Sequence, residues 1–151
     1  MLLKDCTQIY TLGPQGTFSD EATQKVLKTG VRVSYTGTFS EALGKVTEDL
    51  GSAAVVPVEN SVAGTVAQVQ DSLVRNNLII LGEINLLIEY SLLANAKLDQ
   101  IEVCFAHPQA LEQSSGFITN NLGKAQNHFT RSNVDSGIRF LEAVDSGNKP
   151  V

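Results

Sequence analysis

The sequence contains no tryptophan, one methionine and two cysteines among its 151 residues. Cys6 and Cys104 are far apart and form no Cys-x-x-Cys spacing, so neither a disulfide framework nor a zinc site is predicted. A surplus of basic residues is also missing. The net charge of -5 excludes broad electrostatic binding of nucleic acid, although a small anion could still bind locally.

Targeting segments and long apolar runs are absent as well. The first three residues are apolar but lead into Lys4 and Asp5, which is not the basic-then-apolar order of a signal peptide. The most apolar stretch, residues 78–94, is interrupted by a glycine, an asparagine and two glutamates, which excludes a membrane span. These absences predict a cytoplasmic protein with no membrane partner.

The first half of the chain shows strand and helix patterns in alternation. The hydrophobic share of 42% and the charged share of 18% are ordinary for a globular protein. Strands are predicted over residues 7–12, 31–35 and 53–58. Helices are predicted to start at Ser19, at Thr38 or Ser40, and over residues 65–76. This alternation indicates an α/β fold with a parallel sheet covered by helices.

The second half repeats the alternation after an extended stretch. Residues 78–81 and 85–94 are predicted to be extended, and strands are predicted over 101–106 and 126–130. One helix should run from Pro108 to about Asn121, and another from a cap at Ser132 or Asn133, with Ile138, Leu141 and Val144 on its inner side. We therefore predict two αβ lobes, residues 1–77 and 78–151, with the extended stretch as the crossover.

Three strand-to-helix junctions carry the polar residues of interest. They are residues 13–19, 59–65 and 106–109. Helix starts at such junctions present unpaired N–H groups that suit a carboxylate or phosphate. In the second junction Gly64 would allow close backbone approach, and Ser61 or Thr65 would cap the next helix. An ordinary capped loop explains the same residues equally well.

Other polar residues also have a plain structural interpretation. A histidine before proline, as at His107, is more often a helix cap than a catalytic group, and Gln113 could be a solvated amide on a helix face. The sequence Thr130-Arg131-Ser132 could bind an anion, but a strand end followed by a helix cap accounts for it too.

Taken together, three segments resemble the prephenate dehydratase family in residue type, order and spacing. They are Leu12-Gly13-Pro14-Gln15-Gly16-Thr17-Phe18-Ser19, Val55-Val56-Pro57-Val58-Glu59-Asn60-Ser61-Val62-Ala63-Gly64-Thr65 and His107-Pro108-Gln109-Ala110-Leu111-Glu112-Gln113. The resemblance extends from about Ile9 to the last residue.

The resemblance implies a two-lobed fold like that of type II periplasmic binding proteins, with mostly parallel sheets and a cleft for the substrate. Family members convert prephenate to phenylpyruvate in phenylalanine biosynthesis, with loss of carbon dioxide and water and without a cofactor. Prephenate carries two carboxylates, which amide N–H groups and hydroxyls at helix starts can hold. A small-molecule substrate and a homodimer are the expected partners.

The same resemblance assigns the site by motif position. Asn60 and Gln113 fall on the family's catalytic positions, whereas Thr17, Glu59, Ser61 and His107 fall on substrate-binding positions.

The sequence also departs from the family pattern. Ala106 stands where the family usually has serine, and the family's Thr-Arg-Phe motif lies further along than Val151. Thr130-Arg131-Ser132 is not its equivalent, because it precedes the last helix of the second lobe. We therefore expect a truncated dehydratase with weak or no activity. The alternatives are a non-catalytic binding module for an aromatic or prephenate-like acid, and a related prephenate decarboxylase.

Overall fold

The computed structural model describes residues 6–147 and residue 151 of the chain. The chain divides into two compact units, residues 1–87 and 88–151. This division lies beyond the lobe boundary predicted after Asn77, within a stretch that has neither strand nor helix. The assignment of residues 1–77 and 78–151 as the two lobes of a substrate cleft stays a prediction.

The first unit is built on a three-stranded parallel sheet. Its strands are β1 (Gln8–Leu12), β2 (Arg32–Thr36) and β3 (Ser52–Val55), in the order β2-β1-β3. Central β1 pairs Ile9 with Val33 on one side and with Ala53 on the other. Ile9 is 1% exposed, so the middle of the sheet is also the centre of the core. The predicted parallel α/β architecture is therefore confirmed.

Helices α1 (Phe18–Val26) and α2 (Phe39–Glu48) pack on this sheet, and α3 (Ala67–Arg75) packs on α2. The predicted cap at Thr38 is confirmed, since its side chain accepts the Glu41 N–H. The predicted cap at Ser19 is wrong because α1 begins earlier, at Phe18, and Thr17 caps it.

Residues 59–65 form a small hairpin and not the predicted strand-to-helix turn. After β3 ends at Val55, strands β4 (Glu59–Asn60) and β5 (Gly64–Thr65) pair antiparallel. Helix α3 starts only at Ala67, after Val66, and has no side-chain cap. The expectation that Ser61 or Thr65 caps this helix is therefore wrong. Gly64 has φ 76°, and a Cβ there would meet no atom within 4 Å, so the turn needs glycine for its dihedral angle and not for close approach.

The second unit contains a two-stranded parallel sheet with helices. Strands β6 (Val103–Ala106) and β7 (Gln126–Phe129) pair, and a short 3-10 turn spans Leu98–Gln100. The helices are α4 (Pro108–Gln113), α5 (Ser115–Asn121) and α6 (Asn133–Asp145). The single helix predicted from Pro108 is thus two helices, separated at Ser114. The predicted first-turn proline and the cap at Ser132 are confirmed.

The inner face of α6 differs from the prediction. Ile138, Leu141 and Val144 were expected to be buried, but they are 50%, 58% and 37% exposed. Val134 and Phe140 are half-buried instead. A sheet of two strands is too narrow to cover a wide apolar stripe, so only part of the stripe is shielded from water.

Residues 78–94 contain no strand and no helix. From Ile84 to Ser91 the burial still alternates, with Ile84, Leu86, Ile88 and Tyr90 half-buried and the residues between them exposed. This two-residue period is that of an extended chain. The extended segments predicted here therefore pair with no strand of the described chain. Within the described residues, every helix is too short or too polar to cross a bilayer.

Candidate functional site

Parallel pairing brings two of the three predicted loops to one edge of the first sheet. Thr11 of β1 lies opposite Val55 of β3, so the carboxyl ends of both strands point the same way. The loop of residues 13–17 leaves this edge after β1, and the 59–65 hairpin follows β3. The predicted residues Thr17, Glu59, Asn60 and Ser61 thus lie on two segments that leave the same edge.

Thr17 shapes the first of these loops. Its hydroxyl donates to the Pro14 carbonyl oxygen at 3.0 Å and accepts the Asp20 N–H at 3.4 Å. The residue therefore closes the loop and caps α1 at once, and it is half-buried. Any substrate contact by Thr17 has to use the remaining lone pair of its hydroxyl or the neighbouring backbone amides.

Asp20, a residue that sequence reasoning left out of the site, lies behind this loop and is 6% exposed. Its carboxylate accepts the Gly16 N–H at 2.8 Å, the Gln24 amide at 3.0 Å and the Tyr35 hydroxyl at 2.7 Å. Burial by itself raises the pKa of the Asp20 carboxyl, but these hydrogen bonds outweigh burial and hold the pKa below its usual value. Burial together with the Asp20 carboxylate raises the pKa of Tyr35 to about 12.

Because the pKa of Asp20 is lowered in the folded state, the free energy of unfolding depends on pH in the acid range. The folded state binds this proton more weakly than the unfolded state, so the stabilisation is present above about pH 4 and is lost as the pH falls through the folded pKa. We expect Asp20→Asn to be less stable than wild type near pH 7, with a difference that shrinks towards about pH 2. Urea unfolding across this range measures the difference.

Glu21→Gln is the matched control for this titration. Glu21 lies in the same turn, but its side chain and that of its partner Lys25 are 53% and 48% exposed. Exposed ion pairs contribute little, so the acid profile of this variant should follow wild type. A constant difference between Asp20→Asn and wild type from neutral to acid pH would contradict the expected linkage.

The 59–65 hairpin carries three predicted site residues. Glu59 pairs with Thr65 across the hairpin and is exposed, and Ser61 is exposed in the turn. The Asn60 side-chain oxygen accepts the Val62 N–H at 2.9 Å and the Ala63 N–H at 3.0 Å, which closes the turn. The structure therefore gives Asn60 a local structural role in addition to its predicted catalytic one.

His107 caps the first helix of the second unit. Its Nδ1 accepts the Gln109 N–H at 3.3 Å, and an accepting Nδ1 carries no proton. The capping interpretation of His107 therefore holds. Its substrate-binding role stays a prediction.

Gln113 is more than a solvated amide on a helix face. It ends α4, and its Oε1 accepts the Tyr90 hydroxyl at 2.9 Å. Burial raises the pKa of Tyr90, and a hydrogen bond from Asn133 acts in the opposite direction. The bond from the Tyr90 hydroxyl orients the Gln113 amide group, because a hydroxyl donor bonds to Oε1 and not to Nε2. The catalytic role of Gln113 stays a prediction.

Thr130-Arg131-Ser132 directly precedes α6, and Ser132 is its N-cap. The Thr130 hydroxyl lies 2.7 Å from the Ser136 hydroxyl and is bonded to the Ser132 carbonyl oxygen, and Ser132 caps the helix. The Asp135 carboxylate already accepts the Arg131 N–H at 3.0 Å. A strand end and helix cap therefore account for this segment, and the Thr130 hydroxyl and the Arg131 backbone N–H are both bonded locally.

The predicted site residues fall into one group in each unit. Thr17, Glu59, Asn60 and Ser61 belong to the first unit, and His107 and Gln113 lie at the two ends of α4 in the second. Among the residues that the structure describes, no cluster of three or more His, Cys, Asp or Glu could hold a metal ion.

Sequence reasoning missed the supporting residues Asp20, Tyr35 and Tyr90. Asp20 had only the signal of an acidic residue in the first turn of a helix, and Tyr90 lay in a segment without a clear secondary structure. The pairing of Asp20 with Tyr35 depends on the position of β2 beside β1.

Known proteins with similar sequences carry prephenate dehydratase segments. The family model for prephenate dehydratase matches residues 9–147. The chain is 34% identical over 142 residues to a bifunctional chorismate mutase/prephenate dehydratase of Buchnera aphidicola subsp. Acyrthosiphon pisum, covering 91% of this chain and 37% of that protein. It is 37% identical over 114 residues to a prephenate dehydratase of Methanocaldococcus jannaschii, covering 73% of this chain and 40% of that one.

A solved structure gives the same result for the fold. The crystal structure of prephenate dehydratase from Staphylococcus aureus Mu50 superposes with a TM-score of 0.72 at 26% identity, covering 88% of this chain and 51% of that chain. The chain thus spans about half or less of the length of these relatives. The family model covers most of the chain, from β1 to the end of α6, and the chain therefore belongs to the prephenate dehydratase family.

Proposed function

We propose that this chain binds prephenate and promotes its decarboxylation and dehydration to phenylpyruvate, as part of phenylalanine biosynthesis. The single observation that carries the proposal is the match of the prephenate dehydratase model over residues 9–147. The geometry of the first unit supports it, because two segments that carry hydroxyl and amide groups follow the carboxyl ends of neighbouring parallel strands. Such donors can bind a small dicarboxylate even though they carry no positive charge themselves.

In the proposed site the backbone around residues 13–17 and the 59–65 hairpin bind the substrate in the first unit. Thr17 and Ser61 supply hydroxyls, Asn60 supplies an amide, and Glu59 lies beside them on β4. For the second unit we propose His107 and Gln113 as substrate contacts, and the Tyr90 hydroxyl bonds to the amide oxygen of Gln113.

The reaction breaks the bond to the departing carboxylate and the bond to the ring hydroxyl, so the hydroxyl needs a proton as it leaves. Asn60 and Gln113 are amides and cannot supply one, although their N–H groups can stabilise developing negative charge. His107 uses Nδ1 as a helix cap, which leaves the Nε2–H as its only ring donor. We therefore expect slow turnover by this chain, with binding and orientation as its main contribution.

The test is incubation of the chain with prephenate at neutral pH, following phenylpyruvate formation and prephenate loss together. The non-enzymatic rate must be subtracted, because prephenate breaks down in acid. Phenylpyruvate formed above this background in proportion to the prephenate lost supports the proposal.

The same samples separate the alternatives. Saturable prephenate binding without product would replace the proposal with a binding module. A product that has lost carbon dioxide but keeps the ring hydroxyl would replace it with a decarboxylase. Absence of both binding and product would overturn it.

We further propose that the chain works in the cytoplasm as a homodimer. The support for the dimer is the exposed apolar stripe of α6, formed by Ile138, Leu141 and Val144. Sedimentation of the chain across a concentration series tests this, and a monomer at all concentrations would contradict it.

A further inference from the structure

The loop of residues 13–17 is held at both ends by hydrogen bonds to neighbouring elements. At its start the Gly13 N–H donates to the Thr36 carbonyl oxygen of β2 at 3.0 Å. Near its end the Gly16 N–H donates to the Asp20 carboxylate at 2.8 Å. Gly16 has φ 87°, a left-handed conformation that other residues rarely adopt. The direction of the Gly16 amide is therefore set by the carboxylate behind it.

The Asp20 carboxylate joins three parts of the first unit. It lies on α1, accepts the Gly16 amide of the loop and accepts the Tyr35 hydroxyl of β2 at 2.7 Å. Hydrogen bonds to an ionised carboxylate are stronger than neutral ones, and this carboxylate is 6% exposed. Tyr35 also packs closely on Gly13, since a Cβ at Gly13 would lie only 3.0 Å from the Tyr35 Cβ. Asp20 and Tyr35 together act as a clamp on the loop.

We infer that Asp20 and Tyr35 are positioning residues that hold the 13–17 loop in the shape needed to bind a substrate carboxylate. This inference rests on the proposed function, because the loop is the proposed contact with prephenate. Neither side chain has to touch the substrate. The clamp acts through the Gly16 N–H, which the Asp20 carboxylate holds in place directly before Thr17.

A second phenol–carboxylate pair in the same unit provides a matched control. The Tyr10 hydroxyl on β1 donates to the Asp49 carboxylate at 3.0 Å. Asp49 follows α2 and precedes β3, so this pair lies towards the opposite edge of the sheet from the loop. Tyr10→Phe and Tyr35→Phe thus remove the same kind of hydrogen bond. Only the bond of Tyr35 involves Asp20, the residue that anchors the loop.

The experiment compares wild type, Tyr35→Phe and Tyr10→Phe in two measurements. Calorimetric titration with prephenate gives the affinity, and amide hydrogen exchange without ligand reports on the Gly16 N–H. For Tyr35→Phe we expect about tenfold weaker binding and about tenfold faster Gly16 exchange, the effect of losing one hydrogen bond to a charged group. Tyr10→Phe should match wild type in both.

The outcomes separate this inference from the proposed function. If wild type binds prephenate and Tyr35→Phe binds equally well, the inference is overturned and the proposed function stands. If wild type does not bind prephenate, the proposed function fails and the substrate role of the clamp fails with it. In that case unchanged Gly16 exchange in Tyr35→Phe would also show that the clamp does not hold the loop. Equal weakening by both phenylalanine variants would indicate a general loss of stability and would overturn the inference.

Discussion

Replacing Asn60 with aspartate is expected to weaken prephenate binding about 100-fold while the 59–65 hairpin remains formed. The Asn60 side-chain oxygen accepts the Val62 and Ala63 N–H groups, and an aspartate oxygen can accept both in the same way. The substitution therefore keeps both acceptor bonds of the turn and replaces the side-chain amide N–H groups with a charged oxygen.

Two changes account for the size of this effect. Aspartate lacks the amide N–H groups that could donate to a substrate oxygen. It also places a second negative charge next to Glu59 on a hairpin that should bind a dianion, and like charges at close range disfavour binding. Alanine at this position would be a less informative variant, because it would also release the Val62 and Ala63 amides from their acceptor.

Asn121→Asp is the control for the Asn60 prediction. Asn121 is exposed at the end of α5 and bonds locally to the Phe117 carbonyl oxygen at 2.9 Å. Asn121→Asp adds the same negative charge as Asn60→Asp, but outside the proposed site. Calorimetric titration with prephenate and hydrogen exchange of the hairpin amides measure binding and folding separately. Unchanged affinity in Asn60→Asp would remove Asn60 from the site.

The second large effect is expected on stability, at Ile9. Ile9 is 1% exposed in the central strand, between Val33 and Ala53 of the neighbouring strands. Ile9→Ala should lower the free energy of unfolding by about 3 kcal/mol, because the buried methyl groups are lost and the surrounding sheet cannot close the cavity fully. Urea unfolding followed by circular dichroism measures this change.

Two further substitutions calibrate the Ile9 result. Ile9→Val removes one methylene and should cost about 1 kcal/mol. Leu50→Ala removes as many side-chain carbons as Ile9→Ala, but Leu50 is 95% exposed, and the change in the free energy of unfolding should stay within about 0.5 kcal/mol. If Ile9→Ala were no more destabilising than Leu50→Ala, β1 would not be the centre of the core.

Much of the fold follows from local patterns that the sequence shows directly. The strands around Ile9, Val33 and Ala53 each have an apolar pattern bounded by turn residues, and the structure confirms their parallel order. The caps at Thr38 and Ser132 were predictable because a cap is a bond between a side chain and an amide three residues later.

The hairpin at residues 59–65 shows where local patterns fail. Its sequence has the features of a strand end before a helix. A strand-to-helix turn and a hairpin can each use Asn60 and Gly64 as turn residues. The bond from the Val66 N–H to the Val58 carbonyl oxygen, at 2.9 Å, closes the hairpin and delays the helix to Ala67. The helical pattern of the sequence alone does not reveal that the residues before Ala67 pair in a hairpin and do not form the first turn of the helix.

For the candidate site, the sequence by itself determined the residue types, their order and the family, because motifs are read along the chain. Only the tertiary structure decided which side chains support them. The bond between Tyr35 and Asp20 joins residues 15 positions apart, and the bond between Tyr90 and Gln113 joins residues 23 positions apart. The exposed face of α6 was likewise set by the width of the sheet beneath it. Such contacts depend on how strands and helices pack, and no local periodicity records that packing.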